Sequence, residues 1–365
     1  MRRNGAARGQ ADPDRPHPGR RRHRGDRLDA GRTRRTGPGR VRAGQRGGRK
    51  EGRVMDTYSD ERIARATLGW LCEPGDSGLR KLLADHGPVE TFDMLSVRGV
   101  PFVARLEIRH LPPSWLWGEA VVAVDGAQRG GGRVVIPTDP DWPTGLRDLD
   151  GGEPVCLWAR GTAPIPRQAA SVTIVGSRAS SNYGNHVAAD LAAQLAGQHR
   201  TVVSSGALGI DGTALRAALA AEGDAVAVLP CGLDQLHPHQ HRGLFERLAV
   251  DGLLLSVWPP GARPTLWRTA ATQMLLAALT AGTVVVEASL RSRALQVLRQ
   301  AIDLGRVGMV VPGPVTSGVS AGCHELLRTD PRVRPVAHGG HVLADLAPQP
   351  GSAPDEGGGA GDGDA

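Results

Sequence analysis

From residue 171 onward, short runs of β-branched and other apolar residues alternate with longer segments whose apolar positions recur at helical spacing. One such segment is HVAADLAAQLAG, in which Val187, Leu191 and Leu195 share a face. Continuous apolar strands that alternate with amphipathic helices indicate a parallel sheet covered on both faces. The pattern predicts an α/β fold, a doubly wound (Rossmann-like) and mostly parallel sheet. Strands are predicted at VTIVG, TVVSSG, AVAVLPCG, LLLSVW, TVVVEAS and GMVVPG.

Apolar spacing further upstream predicts a small N-terminal helical module over residues 56–96. Ser59 suits an N-cap position, and two acidic residues follow it in the first turn. Gly87 is expected to end a second helical stretch, and Pro88 to open a short third one.

Residues 97–165 have a mixed pattern, with strand-like cores at Val134 to Ile136 and at Val155 to Trp158. Proline and aspartate between these cores are typical of loops. We interpret residues 97–165 as a lead-in segment to the sheet and residues 166–346 as the Rossmann-like domain.

Both ends of the chain have too little apolar content to offset the entropy of ordering, so both are predicted to be disordered. The tail over residues 347–365 is acidic and rich in glycine. The leader over residues 1–54 is rich in arginine, glycine, proline and alanine. This leader is either a basic arm for nucleic-acid phosphates or a segment outside the natural protein, with Met55 as the start. We favour the second interpretation, because translated GC-rich DNA has this composition.

Charge changes the picture once it is divided by region. The whole chain has 44 Lys and Arg against 37 Asp and Glu, a net charge of +7. Residues 1–54 contribute 18 basic and 5 acidic residues, which leaves 26 and 32 for residues 55–365, a net charge of −6. Bulk charge therefore gives the globular part no nucleic-acid signature, and any such binding requires a local patch.

Several classes of protein are disfavoured by what the sequence lacks. The four cysteines are far apart and form no CxxC pair, which fits reduced thiols in a cytoplasmic protein. No apolar run approaches the length of a membrane span, so we expect no membrane partner. His237, His239 and His241 suggest a metal site, but Pro238 breaks their alternation and no suitable Cys or carboxylate lies beside them.

Glycine-rich turns follow three of the predicted strands, and all can converge on the carboxyl edge of the sheet, where such folds bind ligands. Gly176, Ser177 and Arg178 could hold an anion through backbone N–H groups and a guanidinium, or could form a simple tight turn. The sequence matches neither GxGxxG nor GxxxxGKS, so dinucleotide binding and ATP hydrolysis are unsupported and no cofactor is predicted.

The second and third turns offer further candidate residues. Ser205, Gly206 and Gly209 follow the second strand, where the glycines would let a ligand approach the backbone. Asp211 would cap the next helix or hold the loop, and we favour capping. In the third turn, Thr316, Ser317 and Ser320 could donate to phosphates or cap a helix starting near Gly322.

No Ser/His/Asp order and no paired carboxylates are present, so no catalytic residue is predicted. Glu287, which ends a predicted strand at the same edge, is expected to anchor a loop rather than to act as a catalyst.

The ordered set of turns resembles the DprA/Smf family of DNA-processing proteins over about residues 56–330. The matching stretches are IPTDPDWPTGLRDL, PVCLWARG, IVGSRASSNYG, VVSSGALGID, AVLPCGLDQLHP, GTVVVEASLRSRAL and VPGPVTSGVSAGCHELL. The resemblance implies a non-enzymatic, homodimeric protein that binds single-stranded DNA and delivers it to the recombinase RecA in natural transformation or recombination. Arg178 would then contact phosphate, and Arg291, Ser292 and Arg293 would belong to the same set of DNA-binding residues.

The chain departs from the family pattern at several positions. Leu208 stands where the family usually has a basic residue, and Leu215 where it has a histidine. Thr272-Gln273-Met274 replaces Arg-Asn-Arg, and Arg293 replaces a glycine. Two alternatives therefore stay open. One is a degenerate paralogue that binds a nucleotide-like ligand, and the other is a nucleotide hydrolase of the lysine-decarboxylase-like (LOG) type, whose signature Pro-Gly-Gly-x-Gly-Thr is absent.

Overall fold

The computed structural model describes residues 59–98, 113–150 and 153–347. The predicted leader over residues 1–54 and the tail from residue 348 onward lie outside this part of the chain. The helices are α1 Asp60–Leu71, α2 Ser77–Arg98, α3 Pro113–Arg129, α4 Asn182–Gly197, α5 Ile210–Ala220, α6 Arg242–Asp251, α7 Leu266–Ala278, α8 Ala294–Asp303, α9 Ala321–Thr329 and α10 Gly339–Leu346. The strands are β1 Gly132–Val135, β2 Leu157–Gly161, β3 Ser171–Gly176, β4 Thr201–Ser204, β5 Ala225–Val228, β6 Leu253–Ser256, β7 Gly282–Val286, β8 Val307–Val310 and β9 Val333–Pro335.

The nine strands in the described part of the chain form one sheet in the order β1-β2-β6-β5-β4-β3-β7-β8-β9. The seven strands from β6 to β9 pair in parallel, whereas β1 pairs with β2, and β2 with β6, antiparallel. The predicted doubly wound, mostly parallel sheet is confirmed. The strand order reverses beside β3, because the chain runs from β3 through β6 on one side and returns as β7 on the other.

Alternate side chains of the central strands fill two separate cores. Val172 and Ile174 of β3 pack under α4, α5, α6 and α10, whereas Val175 packs under α7, α8 and α9. Burial on both faces explains why these strands are continuously apolar.

The N-terminal helices pack on the antiparallel end of the sheet. Ser59 caps α1 by accepting from the Arg62 backbone N–H, and α2 is broken at Gly87, whose φ is +72°. Both features agree with the sequence-based expectation. Helix α3 was not predicted, because its apolar residues are nearly consecutive and two glycines interrupt them, which hides helical periodicity.

A bidentate ion pair joins this helical module to the sheet. The Arg62 guanidinium donates to both carboxylate oxygens of Asp139 at 2.7 Å and to the Val134 carbonyl at 2.5 Å. Burial opposes ionisation of Asp139, but the hydrogen bonds from Arg62 and from the Ile136 N–H outweigh it, so its pKa lies below the ordinary value.

The four cysteines are buried and none is in a disulfide. Burial raises the pKa of Cys72, Cys156 and Cys231 to about 12 and that of Cys323 to about 11. Within the described ranges, no helix has the combined length and apolarity needed to cross a bilayer.

Replacing Asp139 by Asn is expected to lower the free energy of unfolding at pH 7 by about 2 kcal/mol, because Arg62 loses its counter-charge. The folded-state pKa of Asp139 is depressed, so its contribution is present above the unfolded value of about 3.9 and is lost as pH falls through the folded value. Urea unfolding of both proteins across a pH series measures this. A stability gap that stays constant down to about pH 3 would contradict the charge-based account.

Candidate nucleic-acid interface

A cleft of about 270 Å³ opens at the carboxyl edge of the sheet, where the strand order reverses between β3 and β7. Open α/β sheets bind ligands at such a switch point, since the loops after the two strands diverge there. The cleft is bounded by the turns after β3, β4 and β5 and by helices α7 and α8. Its polar lining comprises Gly176, Arg178, Ser205, Asp211, His237, Gln240, Thr269, Thr272, Gln273 and Arg293.

The turn after β3 is fixed by Glu287, which follows β7 and is only 2% exposed. One carboxylate oxygen accepts from the Ser181 N–H at 2.9 Å, and the other accepts from the Ser181 hydroxyl at 2.5 Å. Ser181 in turn caps α4 by accepting from the Gly184 N–H at 3.1 Å. Glu287 is therefore a loop anchor, as the sequence predicted.

Asp211 ties the turn after β3 to the turn after β4. Its buried carboxylate accepts from the Gly176 N–H at 3.1 Å and from the Ser205 hydroxyl at 2.5 Å. Burial raises the pKa of Asp211, although these hydrogen bonds favour the charged form. The expectation that Asp211 caps a helix was wrong, since α5 starts after Gly209 without a side-chain cap. The carboxylate instead bonds to the turns after β3 and β4, because both turns pass close to it.

Gly206 and Gly209 serve the packing of these turns. Both have positive φ, +68° and +79°. The Phe245 ring occupies the space beside Gly206, and the carbonyl groups of Ser177 and Arg178 occupy the space beside Gly209. The close approach that glycine permits here is therefore between two parts of the protein.

Arg178 and Arg293 reach the cleft from the two sides of the switch point. Both side chains are exposed, and neither makes a hydrogen bond or an ion pair with another residue in the described ranges. Two such guanidinium groups near the turn at Gly176 can bind an anionic ligand by donating charge-assisted hydrogen bonds to it.

His237 lies in the same cleft, after β5. Its pKa is lowered by burial first, and then by the charges of His239 and Arg178. His241 instead points into the core, where its Nδ1 lies 2.9 Å from the Gly206 carbonyl oxygen. The three histidines therefore share no common face. In the part of the chain that the structure describes, no three potential metal ligands come together.

The other candidate residues lie outside the cleft lining. Arg291 is exposed, and the Ser292 hydroxyl accepts from the Ala294 N–H at the start of α8. The Ser177 carbonyl accepts from the Ile210 N–H at 3.2 Å.

The third glycine-rich turn, between β8 and α9, also stays outside the lining. Thr316 is exposed and Ser317 half-buried. Ser320 precedes α9 without a side-chain cap, and its hydroxyl is buried against Gly313.

The residues that depart from the family pattern lie in three different environments. Leu208, Thr272 and Gln273 line the cleft, so part of the wall that would be cationic is apolar or neutral. Met274 is 37% exposed and outside the lining, and Leu215 is fully buried. Arg293 adds one charge to this wall.

His237, Gln240 and Thr269 also line the cleft, although they were not among the binding residues predicted from the sequence. His237 and Gln240 follow β5 at the same edge of the sheet as the glycine-rich turns, which was a usable signal. Thr269 gave no such signal, because it lies in helix α7 and not in a turn that directly follows a strand.

The chain matches the family model described as DNA recombination-mediator protein A over residues 133–344. It is 42% identical over 314 residues to a putative DNA processing protein DprA of Mycobacterium tuberculosis, covering 80% of this chain and 79% of the relative. It is 34% identical over 194 residues to DNA processing protein DprA of Streptococcus pneumoniae, covering 53% and 67%.

Two solved structures share the fold at 25% sequence identity. The X-ray structure of DprA from Streptococcus pneumoniae gives a TM-score of 0.59, covering 79% of this chain and 98% of the other. DNA processing protein A from Helicobacter pylori, whose structure is described for its single-stranded DNA binding mode, gives 0.53, covering 59% and 95%. The match of the family model, the identity to the mycobacterial relative and the shared fold together establish that this chain belongs to the DprA/Smf family of DNA-processing recombination mediators.

Proposed function

We propose that the chain is a single-stranded DNA-binding recombination mediator and that the cleft at the β3–β7 switch point holds the DNA backbone. The observation that carries this proposal is the pair of exposed arginines, Arg178 and Arg293, which face one cleft without a carboxylate partner in the described ranges. A globular part with a net charge of −6 needs such a local cluster to attract a polyanion.

The mode of binding follows from the residues in the cleft. Phosphate oxygens would accept hydrogen bonds from the two guanidinium groups and from N–H groups of the turn that follows Gly176, whose own N–H is bonded to Asp211. Among the residues that the structure describes, those lining the cleft include no Phe, Tyr or Trp on which bases could stack. Affinity would therefore depend mainly on phosphate contacts, with a strong salt dependence and little preference for sequence.

The finer parts of the proposal follow from family membership. The chain would act as a homodimer in the cytoplasm and would deliver single-stranded DNA to the recombinase RecA without catalysing a reaction. Gly176, Ser177, Arg178, Ser205, Gly206, Gly209, Arg291, Ser292, Arg293, Thr316 and Ser317 remain the proposed DNA-binding set. The geometry supports Arg178, Ser205 and Arg293 best, since these side chains line the cleft.

A nucleotide-like ligand is the second candidate, and Leu208 and Thr272 favour it. They place neutral groups on a wall where family members have cations, which reduces the number of phosphates that the cleft can neutralise.

Replacing Arg178 or Arg293 by Ala is expected to weaken binding of a labelled single-stranded oligonucleotide roughly tenfold or more, because each removes a charged hydrogen-bond donor. Each substitution should also reduce the slope of log affinity against log salt by about 0.7. Fluorescence anisotropy on residues 55–365 measures both quantities, without the basic leader.

The matched control is Arg247→Ala, since Arg247 is an exposed arginine on α6 that pairs with Asp251. It should bind like the wild type. Absence of binding at low salt would contradict DNA binding by the cleft. Stabilisation by a mononucleotide in a thermal-shift experiment would then support the second candidate.

Binding should strengthen as pH falls from about 7.5 to 5.5. His237 has a pKa below its usual value of about 6.5, so it is neutral at pH 7 and gains a positive charge in the cleft on acidification. Bound phosphate would raise that pKa, which links proton uptake to DNA binding. His237→Gln should flatten the profile.

The control for this pH experiment is His199→Asn, which changes a histidine in the α4–β4 turn at the opposite edge of the sheet. Its φ is +54°, a conformation that Asn tolerates. It should keep the wild-type pH dependence, and an equal flattening in both variants would contradict a role for His237.

Delivery to the recombinase is tested by RecA filament formation on DNA already coated with a single-strand binding protein. The wild-type chain should accelerate it, and an Arg178→Ala/Arg293→Ala double variant should not, because the variant cannot hold the DNA. Sedimentation of both proteins should show dimers. Equal acceleration by both proteins would contradict delivery through the cleft.

A further inference from the structure

A partly buried charge network connects the N-terminal helical module to the helix that forms one wall of the cleft. Glu73 lies in the loop between α1 and α2. Its Oε1 accepts from the Arg268 guanidinium of α7 at 2.5 and 3.2 Å, and its Oε2 accepts from the Trp258 indole N–H at 2.8 Å. The Arg268 and Glu73 side chains are 10% and 20% exposed.

The network fixes the first turn of α7 by several contacts. The Arg268 guanidinium also donates to the Arg263 carbonyl at 2.7 Å, in the loop before the helix. The Arg268 backbone N–H donates to the Thr265 hydroxyl, which caps the helix. A guanidinium this buried requires a counter-charge, so removing the Glu73 charge would drive Arg268 toward solvent.

The same turn of α7 carries the cleft wall. Thr269 follows Arg268 directly and lines the cleft, and the Thr272 hydroxyl donates to the Arg268 carbonyl at 2.8 Å. Gln273 continues the wall one turn further along. A displacement of Arg268 would therefore be transmitted to the α7 residues that line the same cleft as Arg178.

We propose that Glu73 is a positioning residue for DNA binding, by which the helical module sets the position of α7 at the cleft. Glu73 does not line the cleft, so it acts through Arg268 and contacts no DNA. The inference rests on the proposed function, because it assigns the helical module a role in the affinity of the same site.

The test compares two variants that each neutralise one ion pair between the module and the rest of the protein. Glu73→Gln removes the charge next to α7, whereas Asp139→Asn removes the partner of Arg62, which contacts β1 and not the cleft helix. Glu73→Gln should weaken oligonucleotide binding roughly fivefold without changing the salt slope, since no phosphate contact is lost. Asp139→Asn should leave the affinity unchanged.

Three results would overturn the proposal. One is wild-type affinity in Glu73→Gln, and another is equal weakening in both variants, which would indicate a general loosening of the module. The third is a reduced salt slope, which would indicate that the substitution removes a phosphate contact instead of only shifting α7. The double variant Glu73→Gln/Arg268→Gln should bind no worse than the weaker single variant, because both changes break the same interaction.

Hydrogen exchange gives a readout that needs no DNA. The α7 amides from Thr269 to Leu276 should exchange faster in Glu73→Gln than in the wild type and in Asp139→Asn. If the wild type fails to bind the oligonucleotide, the proposed function fails, and faster exchange in α7 still supports positioning by Glu73. Unchanged α7 exchange overturns the positioning proposal whether or not DNA binds.

Discussion

The carboxyl edge of the sheet depends on one buried carboxylate, that of Asp211. Two turns rise from neighbouring parallel strands and would diverge into solvent if nothing held them together. Asp211 bonds both turns, through the Gly176 N–H and the Ser205 hydroxyl. Glu287 performs a similar task at the start of α4 through Ser181. Because these carboxylates are occupied with donors of the protein, they leave the cations of the cleft without an internal partner.

Residues 55–365 have a net negative charge, so an anion site is possible there only where cations have no carboxylate partner. Along the exterior, many arginines are neutralised by carboxylates one helical turn away, as Arg242 is by Glu246. Arg178 and Arg293 have no such partner in the described ranges, and they extend from opposite sides of the switch point. The doubly wound topology creates this arrangement, since only there do the loops after two adjacent strands leave in opposite directions.

The cleft also depends on a part of the chain far away in sequence. Helix α7 forms one wall, and its first turn is held by Glu73, 195 residues before Arg268. The helical module is also held beside β1, where Arg62 donates to the Val134 carbonyl and to Asp139 in the loop after the strand. A loop residue of the module can therefore affect the shape of a site that it does not touch.

The sequence by itself determined the alternation of strands and helices, the doubly wound sheet, the edge of the sheet at which the cleft opens and the anchoring role of Glu287, because apolar periodicity and strand-end glycines are local signals. Only the tertiary structure decided the role of Asp211, the packing around Gly206 and Gly209, and the presence of His237 and Thr269 in the cleft. It also revealed α3, whose periodicity is obscured. Those features depend on which loops and helices meet in space, and contacts between residues distant in the chain leave no periodic trace in a single sequence.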